Sequence, residues 1–168
     1  ILLMSSTPLA MQVCNHAFNE TSLVIQWHVV GMYAPGFFTG NLIKRFGALK
    51  VIQAGAILNF ACLAVGLAGQ DLIGNFWVSL VLLGVGWNFM FVGATTFLTE
   101  NYRPSEQARV QAINEFCVFG TVAIASLSAG TIYAGSGWVT LLYSAALPVG
   151  MVLLIVATFA IRRKAQAA

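Results

Sequence analysis

Charge is what this sequence has least of. Only 8% of its 168 residues are charged, against about 25% in an ordinary soluble domain, which is too little to coat a water-soluble fold. Cysteine is sparse too: Cys14, Cys62 and Cys117 fall one each in separate apolar stretches, without the paired spacing of a disulfide framework or metal knuckle. They read as small packing residues. There are two histidines, no His-x-x-x-His, no Cys-x-x-Cys, and no acidic pair at helical spacing inside an apolar run. The convergent nucleophile, acid and base, or metal ligands of an enzyme are therefore missing, and no cofactor or metal is implied. The chain opens at Ile1 inside an apolar run, with no initiator methionine, basic leader or small-residue cleavage site. It does not begin like a signal peptide, and it is read as a piece whose start has been cut.

What is there is apolar length. Hydrophobic residues make up 59% and mean hydropathy is +0.85. A hydrocarbon core of about 30 Å takes roughly 20 such residues per helix. Six apolar runs can be marked off, at about 1–18, 22–43, 48–69, 73–99, 110–133 and 138–161, predicting one six-span transmembrane domain. The joints are short: Asn19–Thr21, Lys44–Gly47, Gln70–Leu72, Glu100–Arg109 and Ala134–Gly137. Neighbouring spans are thus antiparallel. Barrel strands alternate apolar and polar over about ten residues, whereas these runs are continuously apolar for twice that. In lipid each backbone polar group must be bonded within its own segment, which leaves the helix.

Basic residues orient the stack. Lys44, Arg45 and Lys50 surround the second joint, Arg103 and Arg109 lie in the fourth, and Arg162, Arg163 and Lys164 follow the last run. If six spans alternate, all of them fall on one side, and the opposite joints carry only Glu20 and Asp71. Cytoplasmic loops retain Lys and Arg, so this side is expected in the cytoplasm, together with the C-terminus. The net charge of +3 follows from that bias. It implies membrane lipid as a neighbour and gives no reason to invoke nucleic acid.

The stretch Gly40-Asn41-Leu42-Ile43-Lys44-Arg45-Phe46-Gly47-Ala48-Leu49-Lys50 resembles the loop signature of the major facilitator superfamily, Gly-x-Leu-x-Asp-Arg-x-Gly-Arg-Arg, found between the second and third helices of each six-helix half. Gly40, Leu42, Arg45, Gly47 and Lys50 match; Lys44 and Ala48 depart. The matching parts have a physical use: Gly40 lets the helix end pack closely, Gly47 makes the tight turn, and the basic residues hold the loop at the membrane surface. The degenerate Lys44 form, the absence of Gly-Pro-x-x-x-Gly-Gly in the fifth run and the basic tail resemble the C-terminal half of such permeases. Gly84–Phe89 and Val110–Phe116 also look like their tenth and eleventh helices. The resemblance implies an all-α membrane protein, a six-helix half-bundle built from two three-helix repeats in a bacterial inner (plasma) membrane. Its expected function is secondary active transport of a small organic solute by alternating access, with a missing N-terminal six-helix half as partner. A channel or scaffold, or an integral membrane enzyme, stands as the alternative.

Polar side chains at membrane depth are costly and usually face a cavity or a partner. The most exceptional is Glu115, about 9 Å beyond Arg109 at 1.5 Å per residue. It reads as a gate or coupling group with Lys44 and Arg45, or as a static carboxylate bonded to a nearby cation. Trp87 and Asn88 fall mid-span, where solute sites of secondary transporters lie; Asn88 could equally join helices. His28, with Met32 one turn on, could carry a proton or contact a solute, or simply pack. Gln12, Asn15 and Asn114 could complete a polar lining. Pro35 should bend the second run, and Gly36 and Gly40 form a Gly-x-x-x-Gly pair allowing close helix approach.

Overall fold

The computed structural model describes residues 1–69 and 72–166, with side chains as far as Arg162. Asp71, expected opposite the basic residues, lies outside them. Among the described residues every regular element is helical: α1 (Leu2–Val13), α2 (Phe18–Tyr33), α3 (Gly36–Phe46), α4 (Ala48–Leu67), α5 (Ile73–Thr99), one 3₁₀ turn (Pro104–Glu106) and α6 (Gln107–Gln166). Among the described residues, three stretches are long and apolar enough to cross a membrane: Ala48–Leu67, Ile73–Thr99 and Pro104–Arg162. The 20 residues of α4 make a rod of about 30 Å, the thickness of a hydrocarbon core.

Two departures from regularity shape the bundle. Pro35 has no N–H to give the turn before it, so the helix that began at Phe18 stops at Tyr33 and restarts at Gly36. The expected bend is thus an interruption of the hydrogen-bond ladder between α2 and α3, with Ala34 and Pro35 keeping helical dihedrals. In α6 only Gly137 leaves helical geometry (φ 77°, ψ −179°), so α6 is two arms, 107–136 and 138–166. A joint of four residues, Ala134–Gly137, was expected there; the structure continues the helix through 134–136. Small residues in an apolar setting keep their backbone bonds inside the helix as far as they can. Within α6, Gly137 alone leaves helical geometry, with a positive φ that a Cβ would oppose.

Helix α5 is the axis of the packing, and its glycines explain why. Residues two apart on a helix point to nearly opposite sides. Gly84 accordingly meets α2, where a Cβ would lie 2.5 Å from the His28 carbonyl oxygen. Gly86 meets α4, where a Cβ would lie 2.7 Å from Asn59 Oδ1 and 2.8 Å from the Gly55 carbonyl. Backbone therefore touches backbone on both flanks of α5. Leu3 and Met11 of α1, Val24 of α2, Cys62 of α4, Leu80 of α5 and Leu142 of α6 fill the common core. Trp138, just past the corner, donates its indole N–H to the Gly66 carbonyl at 3.0 Å, satisfying one of the open carbonyls at the end of α4.

The outer surface remains apolar, with Phe37, Phe116 and Leu127 strongly exposed. Such a surface suits lipid or a partner helix better than water. The two ends of the bundle differ in charge. Phe46, Gly47, Lys50, Glu100 and Ala160 line one cleft, so the Lys44–Lys50 turn, the end of α5 and the end of α6 share one end. At the other, His16 stands edge-on to Phe76 and lies 3.7 Å from the Glu20 carboxylate.

Candidate functional site

The richest gathering of polar and aromatic side chains lies where α5 passes the α2–α3 break. Asn88 is buried. Its Nδ2 donates to the Met32 carbonyl at 2.7 Å, and its Oδ1 accepts from the Thr39 hydroxyl at 2.7 Å. Met32 lies in the last turn of α2, where carbonyls lose their helical partners, and Thr39 lies in the first turn of α3. One amide thus bonds to both sides of the break. Thr39 also sits 2.7 Å from the Pro35 carbonyl.

Beside Asn88 is an aromatic group. Trp87 stacks on Phe91 with centroids 4.7 Å apart and 10° between planes. Tyr33, the last residue of α2, meets Trp87 edge-on at 6.4 Å. Trp87 and Phe91 are partly buried and Tyr33 is exposed, so this group has an open side. Flat rings offset or stacked on indole gain about 0.5–1.5 kcal/mol beyond burial. Nearly three turns back along α5, on the same α2–α5 seam, Trp27 meets Trp77 at 5.8 Å.

The expected site residues divide into those this cluster contains and those it does not. Met32, Trp87 and Asn88 are in it. His28 is nearby but fully packed: it is buried, with Nδ1 2.8 Å from the Leu80 carbonyl, and it ties α2 to α5. Gln12 and Asn15 are exposed at the far end of α1; Asn15 (φ 60°) makes the left-handed turn that closes that helix, a conformation Asn tolerates. Asn114 and Glu115 are half-buried on the first arm of α6. Among the described residues no ion pair joins Glu115 to Lys44 or Arg45; the Arg45 guanidinium lies over the Phe46 ring at 5.2 Å. In the loop motif, Gly47 takes φ 89° between α3 and α4, and Gly40 has open space where a side chain would go. Lys50 lines the cleft at the basic end, and Leu42 packs against the Ile43–Val51 cluster.

Three residues of the cluster escaped the sequence reading: Tyr33, Thr39 and Phe91. A threonine four residues after a proline was the available signal for Thr39, since its hydroxyl reaches the carbonyl one turn back. Phe91, four residues after Trp87, stood on the same helix face. Nothing in the sequence linked Tyr33 to α5.

Comparison with known proteins agrees with this architecture. The chain is 45% identical over 138 residues to the riboflavin transporter RfnT of Brucella anthropi, covering 82% of this chain and 34% of that protein. It is 33% identical over 145 residues to the uncharacterized MFS-type transporter YddS of Bacillus subtilis, covering 86% of this chain and 33% of the relative. To YdeG of the same organism, also named as an uncharacterized MFS-type transporter, it is 28% identical over 143 residues, with 84% and 33% covered. The chain thus spans about a third of the length of these relatives. No solved structure matches it. The family profile of the Major Facilitator Superfamily matches residues 1–168, every residue from the first helix to the basic tail, and the chain belongs to that superfamily.

Proposed function

We propose that this chain is one six-span half of a permease that moves a small, flat organic solute across the bacterial inner membrane by alternating access. The spans at about 1–18, 22–43, 48–69, 73–99, 110–133 and 138–161 form two three-helix repeats. A second half of about six spans completes the cavity, meeting this one along the second and fifth spans. The basic joints and the C-terminus face the cytoplasm, as the retention of Lys and Arg there requires.

The observation that carries the reading is the Trp87–Phe91 stack with Tyr33 at its edge, open on one side and flanked by the Asn88 amide. Such a ledge accepts a planar ring by stacking. The relative with 45% identity is named a riboflavin transporter, and riboflavin carries such a ring, so it is the first solute to test. Glu115, half-buried in an apolar helix, serves coupling or gating rather than folding.

The test is counterflow of labelled riboflavin in vesicles carrying the full-length protein. Saturable counterflow supports a carrier. Non-saturating ohmic conductance would establish a pore instead, and chemical turnover of riboflavin in detergent an enzyme.

A further inference from the structure

The amide of Asn88 holds two pieces of one interrupted helix. Its partners, the Met32 carbonyl and the Thr39 hydroxyl, stand on opposite sides of Pro35, each at 2.7 Å. Thr39 is fully buried and Asn88 4% exposed, so water does not compete for these bonds. A buried polar group without a partner is costly, so the Met32 carbonyl and the Thr39 hydroxyl must find other bonds when the bend changes, and the cost of the freed Asn88 amide opposes release.

Both partners have an exchange available. A hydroxyl carries one proton, and that of Thr39 has two acceptors at 2.7 Å: Asn88 Oδ1 on α5 and the Pro35 carbonyl in its own chain. Turning to Pro35 releases α5 and costs α3 no bond. The Met32 carbonyl, in a straighter helix, would be taken by the Gly36 amide four residues on. On the α5 side, Asn88 directly follows Trp87, whose ring touches Tyr33 at the end of α2. A ring lying on Trp87 and Tyr33 therefore presses on both elements that the clasp joins.

We infer that Asn88 is a positioning residue: with Thr39 it forms a releasable clasp that sets the angle between α2 and α3, and an aromatic solute seated on Trp87 biases it. The inference rests on the transport reading for its solute but not for the clasp itself. The clasp has two positions, bonded across to α5 or bonded within the α2–α3 chain, and the bend follows it.

Spin-label distances in the full-length protein in lipid vesicles test this. With the native cysteines replaced, labels go on Phe37→Cys, whose side chain is 92% exposed just beyond the break, and Ile57→Cys, 59% exposed on α4. The wild type should show two distance populations. Asn88→Val and Thr39→Val should each change their ratio by on the order of 5- to 50-fold, in the same direction. The double variant should add little to either, and Thr39→Ser, which keeps the hydroxyl, should restore the wild-type ratio. Adding riboflavin to the wild type should also move it. If Asn88→Val does not fold, the Thr39 pair decides alone. A ratio within about twofold of wild type in folded Thr39→Val, or a single population throughout, overturns the clasp. A ratio moved by the variants but not by riboflavin supports the clasp and counts against riboflavin as the solute.

Discussion

Replacing Gly84 with alanine should loosen the whole bundle, although it adds one methyl group. The new Cβ would lie 2.5 Å from the His28 carbonyl oxygen and 3.0 Å from both the Gly31 carbonyl carbon and the Met32 nitrogen. All three are backbone atoms, which cannot rotate away. Ordinary contact begins at 3.4 Å, so α2 and α5 must part by about 0.9 Å, the difference between 3.4 and 2.5 Å. Overpacking of this kind costs about 1–3 kcal/mol. The same separation stretches the His28–Leu80 bond (2.8 Å) and the Asn88–Met32 bond (2.7 Å) beyond useful length, at about 1 kcal/mol each. A total of about 3–5 kcal/mol lowers the melting temperature on the order of 10 °C, taking ~2–4 °C per kcal/mol for a domain of this size. Thermal unfolding of the full-length protein in mild detergent measures it. Gly74→Ala, with open space around the added carbon, is the control and should melt within about 2 °C of wild type. If Gly84→Ala does the same, the backbone contact between α2 and α5 is not what holds them together.

Other expectations follow from single contacts. Trp138→Phe keeps an aromatic ring but removes the N–H that reaches Gly66 and the second ring of the indole; it should lower stability by at least about 1–2 kcal/mol, read in the same melting assay. His28→Asn preserves a group able to bond the Leu80 carbonyl, so uptake and its pH profile should match wild type; loss of pH dependence in vesicle uptake would instead make His28 a proton carrier. If riboflavin is the solute as proposed, Trp87→Ala removes the ring it stacks on and should raise its KM about tenfold, from ~1–1.5 kcal/mol of lost ring contact, with expression unchanged. Glu115→Gln should impair uptake more than it lowers the melting temperature; unchanged uptake across a pH series would remove the residue from coupling.

Much of the helical layout was legible in the sequence because its punctuation is chemical. Pro35 lacks an amide proton and interrupts a helix; Gly47 takes a positive φ and turns the chain between α3 and α4. Composition alone indicated a membrane setting, since so few charges cannot cover a soluble surface. The candidate site was only half legible. Asn88 and Trp87 stood out as polar or aromatic residues in an apolar run, but their partners Thr39, Tyr33 and Phe91 are defined by how α2 and α5 cross, and one sequence carries no record of crossing. The roles of Gly84 and Gly86 were hidden for the same reason. A glycine in a helix reads as loss of propensity until the neighbouring backbone is seen 3 Å away. Gln12 and Asn15 show the converse: their polarity drew attention, yet Asn15 serves to end α1.

The corner at Gly137 has a consequence for how this protein tolerates change in length. One residue connects the two arms of α6, and the next, Trp138, is anchored to α4. There is no slack to absorb an added amino acid: an insertion would turn the second arm by about 100°, carrying Trp138 off its acceptor and Leu142 out of the core. The hairpin of α6 therefore behaves as a fixed-length strut.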